Sequence, residues 1–343
     1  MNDLSMILLA LLFLLGATAI AVFGTRLSGI ADQLADRTGL GEAFVGAVFL
    51  GACTSLPGIT ASVTAAIDGF PSLAIANAVG GIAVQTTFLV IADLAYPKTN
   101  LEHAAASVPN MLQGALLMTL LATLMLGVLA PQYHFFGVHP VSVLMFFGYG
   151  FGLKLVHRSH ARPMWKPHIT VATRQDMPDE RPVSPRTLTR LWSEFITAGA
   201  LLLLAGLLVT RVGEEIGLRT GLTESLIGGL LVAVTTSLPE LVTSLAAVRR
   251  GALTLAVSGV LGGNAFDTLF AAVADVAYRP GPIYAAISWR ESTMVTLTII
   301  MSGVLLLGLL SRERRGPANI GFEGILVLAI YVCGIVVLAS GSG

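Results

Sequence analysis

The chain has 343 residues, of which 55% are hydrophobic and only 12% charged, with a mean hydropathy of +0.81. A soluble domain carries about 25% charged residues, so a soluble globule is excluded, and the same hydrophobicity excludes disorder. Lys plus Arg equals Asp plus Glu at 20 each, which leaves no basic excess for nucleic acid. Cys53 and Cys333 lie in apolar runs and do not read as a disulfide framework.

What remains is an integral membrane protein with many spans. A helical span needs about 20 mostly apolar residues. Ten such stretches occur, at 5–25, 41–67, 71–96, 106–130, 134–156, 192–211, 222–248, 252–278, 284–311 and 319–341. A β-barrel would alternate apolar and polar residues, whereas Met6 to Phe23 is continuously apolar or small. The first stretch reads as a retained span and not a cleavable signal, because Met1-Asn2-Asp3 has no basic side chain. With ten spans and both termini outside, 16 of the Lys and Arg residues fall on the inner side and 4 on the outer. That bias fits the positive-inside rule and places the chain in the cytoplasmic (inner) membrane.

Between the fifth and sixth spans lies a polar stretch, 157–190, with Pro163, Pro167, Pro178, Pro182 and Pro185. Its composition predicts a mobile cytoplasmic linker. The histidines in it, His157, His160 and His168, read as solvated side chains of a basic loop. The linker divides the chain into a first half, 1–156, and a second half, 191–343.

The halves are related. Residues 41–97 align without a gap to 223–279 at an offset of 182, with 20 identities in 57 positions. The matches include Glu42/Glu224, Thr54-Ser55-Leu56-Pro57/Thr236-Ser237-Leu238-Pro239, Ser62/Ser244, Gly80-Gly81/Gly262-Gly263, Asp93/Asp275 and Tyr96/Tyr278. Shared Pro, Asp and Tyr at one offset indicate duplication and not chance likeness between apolar helices. Five spans per half is an odd number, so the second half enters the membrane inverted. The predicted fold is all-α, with ten transmembrane helices arranged as two inverted five-helix repeats, an architecture of secondary transporters.

Chemistry concentrates in the repeats. Pro57 and Pro239 fall in mid-span, where proline breaks the helical ladder. Thr54-Ser55 and Thr236-Ser237 precede them with hydroxyls. Gly80-Gly81 and Gly262-Gly263 allow close helix contact. Glu240 follows Pro239 directly, and Asp267 lies deep in the next span. A carboxylate near the bilayer centre costs about 2.5–3.5 kcal/mol, and neither span carries a Lys or Arg core partner. Such acids need a cation, a proton or a polar cavity. Hard cations prefer carboxylate, hydroxyl and carbonyl oxygens, which Glu240, Asp267, Thr236, Ser237, Thr54 and Ser55 supply. The alternative is a protonated acid held for packing. Asp93 and Asp275 read as gate or interface residues, and Glu42 and Glu224 as anchors of helix starts.

At these residues the chain resembles the calcium/cation antiporter superfamily, which includes sodium/calcium exchangers. That family carries a G-T-S-[LM]-P-E segment and a G-N-x-x-G-S-N-x-x-[ND] segment in each repeat. The second repeat here reads Thr235-Thr236-Ser237-Leu238-Pro239-Glu240 and Gly262-Gly263-Asn264-Ala265-Phe266-Asp267. The first reads Cys53-Thr54-Ser55-Leu56-Pro57-Gly58 and Asn77-Ala78-Val79-Gly80-Gly81 onward to Gln85. The resemblance implies that Glu240 is the central cation-binding glutamate and Asp267 the acid facing it. Thr236, Ser237, Thr54 and Ser55 become hydroxyl or carbonyl ligands, and Gln85 occupies the matching amide position. It also exposes departures. The first-repeat glutamate is Gly58, and the serine of the G-S pair is Gly81 in one repeat and Gly263 in the other. Gly58 is expected to leave a position that water or a shifted backbone must fill, with weaker affinity or altered stoichiometry as the result.

The implied function is secondary active cation antiport, exchanging Ca²⁺ for Na⁺ or H⁺ by alternating access. The halved acid count keeps two alternatives open: a monovalent-cation antiporter, and a non-transporting sensor or scaffold derived from an exchanger. The expected partners are inorganic cations and the lipid bilayer, with no protein partner and no cofactor beyond the transported cations. An intramembrane enzyme is not expected, since no His lies in a span core near Glu240.

Overall fold

A computed structural model describes residues 4–161, 166–174, 187–220, 232–316 and 320–340. The chain opens with α1 (Met6–Thr38), whose start is capped by the Ser5 side chain accepting from Leu8 N–H. Gly39, at φ 66°, ends it by donating to Ala35 O. The second span is α2 (Glu42–Thr54) followed by α3 (Leu56–Ile67), bent by 47° at the break. Then come α4 (Pro71–Leu94), α5 (Val108–Leu129) and α6 (Pro140–Ala161). The second half contains α7 (Leu188–Thr220), a helical turn at Ala233–Thr236, α8 (Leu238–Arg250), α9 (Leu253–Ala277), α10 (Trp289–Ser311) and α11 (Phe322–Ser340).

The duplication reaches well past the stretch that sequence identity reveals. The starts of α1/α7, α3/α8, α4/α9 and α6/α11 are all related by the offset that aligns the two repeats, and α5/α10 depart from it by a single position. The fold is the all-helical one of two inverted five-helix repeats. Several boundaries move from the sequence reading. The first and sixth spans are 33 residues long instead of ending at 25 and 211, about 50 Å at 1.5 Å per residue. Their ends therefore project beyond a hydrocarbon layer about 30 Å thick. The fifth span begins at Pro140 and not 134, because Phe136 and Gly137 turn the chain with positive φ. The ninth begins at Trp289, where Ser288 and Glu291 form a capping box. Of the predicted seventh span, 222–231, including Glu224, lies outside the described residues.

Burial sorts the helices. α4 and α9 are enclosed on nearly all faces, whereas α1, α6 and α11 are mostly outward-facing. Small residues let α2 lie against α9 across the two halves. A Cβ on Gly51 would sit 2.9 Å from Gly263 Cα, and one on Gly262 would collide with Ala47. Gly51 and Gly262 thus let the broken second span and the unbroken α9 approach closely.

The acids outside the centre act as staples. Asp93 Oδ1 accepts from Leu101 N–H at 2.6 Å, and Asp275 Oδ1 accepts from Ile283 N–H at 2.8 Å. These are the same bond in the two repeats. Asp275 Oδ2 also accepts from His139 N–H and the Ser142 hydroxyl, at 2.8 and 2.7 Å. Asp275 thus joins the end of α9 to the start of α6 and to the stretch that follows α9. Glu42 caps a helix start, but that of another helix: its Oε2 accepts from Leu255 N–H of α9 at 2.8 Å.

Part of the predicted mobile linker is held down. Arg174 N–H donates to Ala104 O at 3.0 Å, His103 Nε2 meets Thr170 Oγ1 at 2.8 Å, and Arg312 Nη2 donates to Thr173 Oγ1 at 2.8 Å. His168 offers its backbone oxygen to Arg312. Polar composition hides these contacts, because they run through backbone atoms and hydroxyls.

Glu102 lies between α4 and α5 and is buried. Burial drives its carboxyl well above the ordinary carboxylate range, and the nearby Asp93 and Glu323 carboxylates push it the same way. A carboxyl raised in the folded state stabilises the fold fully only below its unfolded value, near 4.5. That stability is lost as pH rises toward the folded value. Glu102→Gln should therefore flatten the decline of thermal midpoint with rising pH, measured in detergent from acid to neutral pH. An unchanged pH profile would contradict a raised Glu102.

Candidate functional site

The breaks in the second and seventh spans meet the middles of α4 and α9. Pro57 and Pro239 stand in the first turns of α3 and α8, where a missing N–H costs little. Two positions before them, Ser55 and Ser237 cap the break with near-helical backbone. Thr54 Oγ1 donates to Leu50 O and Gly51 O, both at 3.0 Å. Its hydroxyl thus bonds back to carbonyls of the turn before the break. Thr235 does likewise to Val232 O.

All seven predicted residues are buried: Glu240, Asp267, Thr236, Ser237, Thr54, Ser55 and Gln85. Ser55 Oγ donates to Glu240 Oε1 at 3.2 Å and is within reach of Asp267 as well. Gln85 Nε2 donates to Asp267 Oδ2 at 2.7 Å and to Ser237 Oγ at 3.2 Å. Gln85 and Asp267 occupy equivalent positions of the two repeats, so their bond crosses the pseudo-two-fold axis. Thr236 Oγ1 lies 3.3 Å from Asn77 Oδ1 and 3.2 Å from Ala233 O, the two acceptors within its reach.

Glu240 Oε2, Asp267 Oδ1 and Gln85 Oε1 have no hydrogen-bond partner, and neither has Asn264 Oδ1 one turn earlier on α9. Buried acceptors are nearly always satisfied, and leaving one unpaired costs about 1–3 kcal/mol. Oxygens of two acids and an amide, all without donors, form a ligand set suited to a hard cation. Among the described residues there is no cluster of three or more His, Cys, Asp or Glu that could hold a metal. A cation held here would take its remaining ligands from neutral oxygens.

Gly58 departs from expectation. No gap is left for water, because the ring of Phe270 covers the position. A Cβ on Gly58 would lie 2.7 Å from Phe270 Cε2. Phe270 is packed in turn against Phe266, with ring centroids 6.1 Å apart. One helix, α9, therefore supplies both an acid of the site, Asp267, and the ring that covers Gly58 of α3. Sequence reading passes over Phe270, which stands out there only as one of the repeat identities, paired with Phe88. It also passes over Asn77 and Asn264. Asn77 Nδ2 donates to Gly58 O at 3.0 Å and Ser62 Oγ at 2.8 Å, and Asn264 Nδ2 to Thr86 Oγ1 at 3.2 Å. Their places in the second motif are the available signal.

Gly81 and Gly263 stand where serines occur in the resembling family. A Cβ on Gly263 would lie 3.8 Å from Gln85 Oε1 and 4.0 Å from Ser55 Oγ. One on Gly81 would lie 3.6 Å from Ser237 Oγ. Both are ordinary contacts, so each position accepts a side chain. Gly263→Ser should change the apo thermal midpoint little and strengthen cation-dependent stabilisation several-fold, read as the calcium concentration at half-maximal shift. A weaker shift would mean that the hydroxyl faces away from the ligand set.

Inverted five-helix halves meeting at two helix breaks define a membrane protein of the secondary-transporter class. The chain matches the family described as "Sodium/calcium exchanger protein" over residues 8–153 and 191–339, and it belongs to that family. It is 28% identical over 309 residues to a protein of Alkalimonas amylolytica named as the antiporter CaxA, covering 88% of this chain and 89% of that one. It is 31% identical over 118 residues to the sodium/calcium exchanger MaX1 of Methanosarcina acetivorans, about a third of each chain at 34% and 32%. The fold is that of the sodium-calcium exchanger NCX_Mj soaked with 10 mM Na⁺ and 10 mM Sr²⁺, with TM-score 0.71, 20% identity and coverage of 97% and 99%. The H⁺/Ca²⁺ exchanger CAX is also similar, with TM-score 0.67, 17% identity and coverage of 96% and 82%.

Proposed function

We propose that this protein is a secondary active cation antiporter that exchanges Ca²⁺ for Na⁺ or H⁺ by alternating access. One observation carries the reading: Glu240 and Asp267 lie buried on adjacent helices with unpartnered oxygens, joined by an unpartnered amide oxygen of Gln85. Two ionised carboxylates offset the charge of one Ca²⁺. Ser55, Ser237, Thr54 and Thr236 supply further oxygens toward the six to eight that Ca²⁺ prefers. Glu240 is the principal ligand, and Asp267 is the second ligand or the proton acceptor. Between cycles the same carboxylates take the counter-ion, so the substrates share one site and must alternate. The long helices α1 and α7 pack on each other outside the core, and their displacement against α4 and α9 would expose the site to one side at a time. In this reading 1–156 and 191–343 are the two working halves, 157–190 lies in the cytoplasm and both termini lie outside the inner membrane.

A second reading is favoured by Phe270. With Gly58 in place of an acid and an aromatic ring over it, the first repeat contributes no charge. A monovalent cation needs less charge and fewer ligands than Ca²⁺. The test is flux of radioactive calcium into proteoliposomes, driven by an imposed Na⁺ gradient and then by an imposed pH gradient. Flux under one gradient names the counter-ion. Absence of calcium flux in sealed, folded protein, with sodium movement driven by a pH gradient, would replace the calcium reading with the monovalent one.

A further inference from the structure

A second polar site lies away from the helix breaks. Between the inner ends of α1 and α8 and the start of α7 is a cleft of about 610 Å³. Its polar wall carries Arg26, Arg250, Gln33, Ser193 and Thr197. Neither Arg26 nor Arg250 is in an ion pair among the described residues. The one acid of the lining, Glu194, is paired with Arg190 at 2.9 Å. The cleft therefore holds two guanidinium groups outside any ion pair, beside two hydroxyls that donate to their own helix, Ser193 to Arg190 O and Thr197 to Ser193 O, both at 2.8 Å.

Its position is as specific as its charge. From Met6 to Arg26 an α-helix rises about 30 Å, the thickness of the hydrocarbon layer. Arg26 thus sits at the headgroup level. Phe23 and Leu201 line the cleft's apolar wall, and the neighbouring Val22, Ile196 and Leu204 are exposed toward lipid. Arg250 is seated on α1: its guanidinium lies over Gly29, which has no side chain to displace it, and Nη2 donates to Thr25 O at 3.3 Å.

The duplicated frame supplies a control. At the equivalent positions of the opposite repeat, Arg26 is matched by Leu208, Arg250 by Asp68, Ser193 by Leu11 and Thr197 by Leu15. The fold is therefore built on the other side without this chemistry. The cations and hydroxyls are not a requirement of helix packing.

We infer that this cleft binds the phosphate headgroup of an anionic phospholipid, with the acyl chains descending along Phe23 and Leu201. Basic clefts between spanning helices at the membrane surface recognise such headgroups. A bound lipid would tie α1 to α7 and α8. The inference is independent of which cations are transported.

Native mass spectrometry of the full chain in detergent, with phosphatidylglycerol and phosphatidylcholine offered together, tests it. The wild type should retain phosphatidylglycerol preferentially. R26Q/R250Q should lower that retention about tenfold or more, while R249Q, next to the cleft but not in its lining, should not. Millimolar inorganic phosphate should fail to displace the lipid. Unchanged retention in R26Q/R250Q overturns the proposal, and so does displacement by inorganic phosphate, which would make this a soluble-anion site. Should R26Q/R250Q not fold, R26Q alone removes one of the two cations and leaves the Arg250–Thr25 bond in place. A several-fold loss of phosphatidylglycerol then supports the site, and unchanged retention rejects it.

Discussion

Glu240→Gln is expected to abolish both calcium-dependent thermal stabilisation and gradient-driven flux. A ligand that binds only the folded state stabilises it by about 2.7 kcal/mol at a hundred times its dissociation constant. The amide removes one of two charges and keeps the volume. The apo protein should accordingly be no less stable than the wild type, because a buried charge has been removed. The measurement is the unfolding midpoint in detergent with and without calcium. The combination of an unimpaired apo midpoint and no calcium shift is specific to a ligand role, since a packing role would lower the apo midpoint. A retained calcium shift in Glu240→Gln would refute the proposed site, whatever the flux does.

Much of this site is readable in the chain because duplication leaves a comparison within one sequence. Thr54-Ser55-Leu56-Pro57 and Thr236-Ser237-Leu238-Pro239 mark two breaks, and Glu240 with Asp267 marks the half that holds the charge. Gln85 becomes a candidate only as the partner position of Asp267, and the structure shows the two in direct contact. Phe270 is not legible, because an aromatic residue in an apolar span has no periodicity that tells a site wall from a core. Its meaning comes from the ring's place over Gly58, 2.7 Å from where a Cβ would stand, between residues far apart in the chain. The matched ends of α1 and α7 are hidden for another reason. α1 faces mostly outward and α7 is half-buried, so much of their surface is specified by apolarity alone, and their sequences diverge while their lengths persist. The stapling of Asp93 to Leu101 and Asp275 to Ile283 is similarly obscure, since backbone N–H partners leave no residue signature.

The exchange of an acid for an aromatic wall makes a quantitative prediction about Gly58 and Phe270. Gly58→Glu alone places a Cβ against the ring at 2.7 Å. Overpacking of that kind costs about 1–3 kcal/mol, and it should lower stability without improving calcium binding. Phe270→Ala alone leaves a cavity beside Phe266 and should cost about 3–5 kcal/mol. In G58E/F270A the new side chain enters the space the ring has left. By the pseudo-two-fold relation, its carboxylate then stands in the first repeat as Glu240 stands in the second. The double variant should therefore be more stable than the sum of the single effects by about 1–2 kcal/mol, the size of coupling seen between residues in contact. With a third carboxylate at the centre, half-maximal stabilisation should need less calcium than in wild type, and flux should slow if release becomes limiting. Thermal unfolding over a calcium titration measures both the coupling and the calcium dependence on one sample. Additive stabilities with unchanged calcium dependence would show that Phe270 does not stand in for the missing acid, and that the asymmetry of the site has another origin.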